Sequence, residues 1–437
     1  MNSIRHITLF LLLLSTASGL FSQESLTLSE CLEKATTNHK LAGEKERYAA
    51  ISDLSSQILR RAWMPVADAG ASVLYNSDVA DLGSTLSGIP VPGLADAIAP
   101  VPNAQYRFTL DVSQLLYDGG MTRELVRNEE VALKISQQLS EIEIYSIKEQ
   151  VLANYFGIVL LDQQYRLINT FIETIDSQAK AVASATGSGV LTQADNDILI
   201  AEKLKLQQQA AENRNMQKAL RNILGEITGT TITETTRLLY GNGQGDIFFN
   251  ETSDIKRPEL ELFDLTVSKL DAGEKLLAAG RRPKAYGFAT FGYGKPPGNN
   301  FFSDTAEPFF IAGATLRWNI YDWDKTRNER EILNIRRDIT TARKNDAELK
   351  LILIIEGKRA EIETLQESIV RLKEIAELRS SITAVMSSRL SNGTLTSSEY
   401  LIAANQEREA LINLEIKKIN LVKANYEFLF LTGNELK

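Results

Sequence analysis

Two segments of the chain set a hydroxyl three residues ahead of a carboxylate: Thr192-Gln193-Ala194-Asp195 and Thr396-Ser397-Ser398-Glu399. Each ends a matching run, Gly189-Val190-Leu191-Thr192 and Gly393-Thr394-Leu395-Thr396. The chemistry of the pattern is helix capping. The threonine oxygen accepts a first-turn amide hydrogen, and the carboxylate reaches back to the threonine amide. An acid there also suits the positive end of the helix dipole. Glycine just upstream suits the end of a preceding helix, where the chain takes a positive φ. Both segments read as tight turns between helices, each holding a carboxylate.

Little else could do chemistry. Among 437 residues there are one cysteine, Cys31, and two histidines, His6 and His39. That excludes an internal disulfide and any Cys-rich zinc or iron–sulfur site, and nearly excludes a His-based metal site or a Ser-His-Asp constellation. Gly241-Asn242-Gly243-Gln244-Gly245 is glycine-rich but lacks the strand–loop–helix setting of a phosphate loop. No catalytic residue, metal ligand or cofactor is expected, and the chain does not read as an enzyme. With 48 basic and 56 acidic residues the formal charge is −8, which offers no footprint for nucleic acid or anionic lipid.

Residues 1–22 read as a cleaved secretory signal peptide, with Arg5 ahead of the apolar run Ile7 to Leu14 and a small-residue exit. The apolar run is too short to span a bilayer. Lipid attachment at Cys31 is not expected, because Ser29-Glu30 precede it far beyond the apolar core. Downstream no run of 18 apolar residues occurs, so an exported protein of this kind is periplasmic, secreted or an outer-membrane β-barrel.

The prolines mark out the elements. None occurs from Asn103 to Arg257 or from Phe309 to Lys437, and proline inside a helix costs about 3 kcal/mol. In those tracts apolar residues recur in steps of three and four, for example Ile144, Ile147, Val151, Tyr155 and Ile158. A helix over 119–187 is on the order of 100 Å long, as in coiled coils or stacked helical barrels. Strands are expected near 66–75, 106–117, 285–293 and 309–321, each about the length of a tilted bilayer-spanning strand.

The chain also repeats itself. Tyr117-Asp118 returns as Tyr321-Asp322, Thr122-Arg123 as Thr326-Arg327 and Thr228-Gly229 as Thr432-Gly433. The expected organisation is a first repeat, 23–229, with long helix 119–187 and helix 192–227. A linker, 230–256, leads to a second repeat, 257–437, with long helix 323–391 and helix 396–431. The fold class is α+β: helical hairpins plus four transmembrane strands per chain. Four strands cannot close a barrel, and open edges in lipid leave backbone groups unpaired. Several chains must then share one.

In these features the sequence resembles the TolC-type outer-membrane efflux family. The residues that carry the resemblance are Leu26-Thr27-Leu28-Ser29-Glu30, Gln114 to Gly120, its partner Trp318 to Asp322, and the two Gly-x-Leu-Thr turns. Trp323-Asp324 replaces the glycine pair in the second copy. The resemblance implies a homotrimer sharing a 12-stranded barrel in a Gram-negative outer membrane, above a long helical periplasmic conduit. It implies a periplasmic adaptor and an inner-membrane RND, ABC or MFS transporter as partners, with outer-membrane lipid around the barrel and no cofactor. The turns then lie at the periplasmic tip, where Asp195 and Glu399 are gate candidates besides capping their helices. Leu390 and Leu395 stand where the family's gate has a tyrosine and an arginine, which leaves an apolar constriction open. Gly189, Val190, Leu191, Thr192, Gly393, Thr394, Leu395 and Thr396 are candidates for adaptor docking. Phe108, Leu110, Leu316 and Trp318 are lipid-facing candidates, with Arg107, Asp111 and Arg317 towards the lumen. The competing reading is a periplasmic coiled-coil scaffold, which leaves the four strands without a task.

Overall fold

A computed structural model of the chain describes residues 25–80, 101–188, 190–240, 255–301 and 303–434. The expected leader, Gly189, much of the first strand-connecting loop and most of the linker lie outside the described residues. In chain order the elements are β1 (Ser25–Thr27), α1 (Leu28–Thr37), α2 (Glu44–Arg61), β2 (Val66–Tyr75), β3 (Ala104–Tyr117), α3 (Met121–Gly187) and α4 (Gln193–Thr228). They continue with β4 (Arg237–Leu239), α5 (Pro258–Gly280), β5 (Lys284–Lys295), β6 (Glu307–Arg317), α6 (Lys325–Ser391) and α7 (Ser397–Thr432).

The proline-free tracts hold the four long helices. α3 and α6 are each 67 residues long, and α4 and α7 are each 36. Their bounds differ by 204 at both ends: 121 and 325, 187 and 391, 193 and 397, 228 and 432. α4 and α7 both end at a left-handed glycine, Gly229 and Gly433. Among the described residues no helix is long and apolar enough to cross a membrane.

The two strand-to-helix corners use the same device with different residues. The Asp118 carboxylate accepts the amides of Gly120 at 2.7 Å and Thr122 at 2.6 Å, and Asp322 accepts that of Thr326 at 3.1 Å. Gly119 and Gly120 between them have positive φ, as glycine readily does. Trp323 and Asp324 take the same left-handed region with φ of 54° and 59°. Loss of the glycine pair therefore leaves the handedness of the corner unchanged, at about 1–2 kcal/mol of strain per residue.

The chain divides into two compact units. The first comprises residues 25–44, 139–261 and 345–434, and the second 45–138 and 262–344. In the first, α1, α4, α7 and the adjoining part of α3 pack around a parallel ribbon of β1 and β4, while α6 packs against α7. Tyr155 is buried beneath the ribbon, and its hydroxyl donates to the carbonyls of Leu26 at 3.0 Å and Leu239 at 2.6 Å. Cys31 is buried beside it, its thiol pushed up to about 12 by desolvation. Every member of the four buried apolar clusters lies in this first unit.

The second unit holds an antiparallel sheet in the order β2-β3-β5-β6, with α2, most of α5 and the adjoining parts of α3 and α6. β6 stops at Arg317, short of the expected Tyr321. Its partner on β5 is Lys284, and Pro283 before that has no amide hydrogen to extend the ladder. Trp318 thus lies past the strand, its indole donating to the Arg281 carbonyl at 3.1 Å.

Candidate functional site

The hairpin turns of the first unit carry the carboxylates singled out in the sequence. At each, the full reciprocal cap forms. Thr192 N–H donates to Asp195 Oδ2 at 3.1 Å, and Asp195 N–H donates to Thr192 Oγ1 at 3.3 Å. Thr396 and Glu399 repeat this at 3.0 Å and 3.3 Å. The two turns differ in one contact. The second oxygen of Asp195 accepts the Ser397 amide at 3.1 Å, so this carboxylate caps its own helix and also binds the start of α7. The hydrogen bond from Thr192, and then that from Ser397, hold its carboxyl below the usual range. For Glu399 the bonds from Thr396 do the same.

Gly393 ends α6 in a left-handed conformation with φ of 66°. Gly393 N–H donates to Leu390 O and Thr394 N–H to Arg389 O, the paired bonds of a Schellman ending. Val190 Cγ1 lies where a Cβ at Gly393 would project, so the two turns touch directly. The other candidates of the turns divide by exposure. Val190, Thr192, Thr394 and Thr396 are exposed, whereas Leu191 and Leu395 turn partly into the helix core. Leu390 is 0 % exposed, packed in the cluster that holds Ile175, Leu199 and Tyr400. It fills the core of its own chain. The cause is helical phase: Leu390 continues the inward face of α6.

In the sheet, register sorts the residues by face. Phe108 pairs with Ala71 and Tyr293, Leu110 with Ala69 and Phe291, and Phe291 with Phe310. Leu316 pairs with Ala285 on that same face. Cross-strand partners point the same way, so Val73, Val112, Ala289, Ala312 and Ala314 join them in an almost wholly apolar surface. The opposite face carries Asp68, Arg107, Thr109, Asp111, Thr290, Thr315 and Arg317. There Thr109 and Thr290 both donate to the Asp111 carboxylate. That face is not uniformly polar. Phe309 and Phe288 lie across from Gly292 and Gly313, where a Cβ would meet the rings. Phe291, Tyr293 and Phe310 were not singled out from the sequence. Assigning them a face needs the register.

Comparison with known proteins follows the same lines. No family model matches the sequence, and none of the curated proteins matches it. Solved structures do. The fold is similar to that of CusC, described as forming a transmembrane channel, with a TM-score of 0.73 and 10% identity over 93% of this chain and 92% of that one. It is similar to the CmeC outer membrane channel of Campylobacter jejuni, with a TM-score of 0.67 and 13% identity over 93% of this chain and 85% of the other. The outer membrane protein VceC of Vibrio cholerae gives 0.67 and 13% over 94% and 97%. At such identities the likeness is one of fold. The chain has the outer-membrane channel fold, in which helices and a β-sheet are built from one continuous chain.

Proposed function

We propose that this chain, with the fold of the outer-membrane channels, is the exit duct of a tripartite efflux or type I secretion system. In this reading three copies each contribute one four-stranded sheet to a closed twelve-stranded barrel, the apolar face towards lipid and the Asp111 face towards the lumen. The helices extend into the periplasm, and the turns at Asp195 and Glu399 meet a periplasmic adaptor and form the constriction. An inner-membrane RND, ABC or MFS transporter supplies the energy, and conduction through the duct is passive.

One observation carries the reading: a sheet with one nearly all-apolar face, whose end strands β2 and β6 have no further partner among the described residues. In lipid such edges are untenable unless another chain pairs with them. The strands are 10 to 14 residues long, enough to cross a bilayer at a tilt. The unit that contains them holds none of the buried apolar clusters, and α2 exposes Ile51, Leu54 and Ile58 along one stripe. Lateral neighbours and lipid account for both. A water-soluble scaffold leaves that surface in water.

Native mass spectrometry from detergent, followed by planar-bilayer conductance, tests the proposal. Three mature chains per particle and stable conducting steps are expected. A detergent-independent soluble monomer or dimer without conductance would overturn the duct and favour the scaffold.

A further inference from the structure

The helix-side end of the sheet carries a basic character that the net charge of −8 conceals. Arg60 and Arg61 close α2 just ahead of β2, Arg281 and Arg282 precede β5, and Arg317 ends β6. By contrast, the connection from Asn76 to Asn103 at the other end contains three aspartates and no lysine or arginine in its sequence. At the helix-side end a cleft of about 700 Å³ opens between the end of α2 and the start of α3. Arg60, Trp63, Arg123 and Arg127 line it, together with Asp118 and Glu130.

The charges in this cleft are poorly matched internally. Among the described residues, Arg60 and Arg127 form no ion pair. Arg123 touches Glu124 at 3.0 Å while its side chain remains three-quarters exposed. Asp118 gives both oxygens to the amides of Gly120 and Thr122, so its charge is directed at the helix end. Arg60 in the last turn of α2 is explained by the helix dipole. Arg123 and Arg127 are not: they lie near the positive end of α3, where the same dipole disfavours cations. They stand four residues apart, on one helix face. Trp63 is partly exposed at the mouth beside exposed Met64, its carbonyl held by the Gln114 side-chain amide at 3.3 Å.

We propose that this cleft binds the phosphate of an anionic phospholipid headgroup. Guanidinium forks from two helices suit a phosphate, and they do so better than ammonium groups. The Trp63 indole, apolar in body and polar at its edge, suits the level of the lipid glycerol. The inference rests on the duct reading, which sets this end of the sheet at the membrane–periplasm boundary. The source is lipid rather than free phosphate because Trp63 and Met64 border the arginines.

Full-length protein in nanodiscs of phosphatidylcholine, with or without phosphatidylglycerol, tests it by counting retained lipids in native mass spectrometry. The wild type is expected to retain phosphatidylglycerol about five-fold over phosphatidylcholine. R60Q/R123Q/R127Q abolishes the preference and R60K/R123K/R127K keeps part of it, with oligomer mass as the check on folding. If the triple glutamine variant fails to assemble, R60Q alone must still lower the preference. Equal retention by the wild type, or an unaltered preference in the glutamine variants, overturns the site. Loss of the preference in millimolar inorganic phosphate assigns the cleft to a free anion and also overturns it. A wild type that conducts but shows no lipid preference refutes this inference alone. A wild type that neither assembles nor conducts refutes the duct reading beneath it.

Discussion

Asp195 and Glu399 occupy equivalent turns yet hold unequal sets of partners. Glu399 serves its own helix start, whereas Asp195 serves its own and also accepts the Ser397 amide. Asp195→Ala therefore removes a cap and a link between two hairpins, for about 1–2 kcal/mol of local stability. Faster hydrogen exchange at Ser397 is the expected readout, and Glu399→Ala should leave that amide protected. The pH sign follows from the lowered carboxyl of Asp195. Its contribution is complete above the ordinary aspartate value of about 3.9 and is lost as pH falls through the lower folded value. Ser397 exchange, corrected for its intrinsic pH dependence, should thus stay flat from neutral to about pH 5 and rise only in stronger acid. A rise between pH 7 and 5 would contradict the assignment. At Gly393, an alanine costs about 1–2 kcal/mol for its left-handed φ and meets Val190 as well. Val190→Ala should restore part of that loss, and a double-mutant cycle by thermal unfolding measures the coupling.

At the scale of elements, the decisive object is the sheet with two unlike faces. Phe291→Arg places a charge on the apolar face, and membrane assembly should fall by about 2–4 kcal/mol if that face meets the bilayer midplane. Thr315→Arg lies on the other face, so insertion should persist while the ion selectivity of the pore shifts. Equal effects of both on insertion would mean that the faces are not divided between lipid and lumen. The strands and helices were largely legible in advance because proline exclusion, helical periodicity and capping are local signals. Pro283 shows where local reading runs out. The end of β6 depends on a proline just ahead of its partner strand, 34 residues before Arg317 in the chain.

The whole molecule is uneven in how it is held together. Its described buried clusters all lie in the unit built on α4 and α7. The sheet unit keeps its large apolar residues exposed in the single chain. Dissociated chains should therefore show fast exchange in β2 and β6 while amides around Tyr155 and Leu206 remain protected. Assembled particles should protect both. Slow exchange of the two edge strands in a demonstrated monomer would argue against barrel sharing.

The sequence by itself determined the two long proline-free hairpins, the 204-residue offset, the capped turns and the approximate places of the strands. All of these arise from interactions within a few residues, or from a pattern written twice. Only the tertiary structure decided that Asp195 reaches Ser397, that Val190 covers Gly393, and that Leu390 is core. It alone set Phe108 beside Tyr293 and brought Arg60 to Arg127. Each of these joins segments tens to hundreds of residues apart, and whether they meet depends on helix packing and strand register, which no local preference specifies.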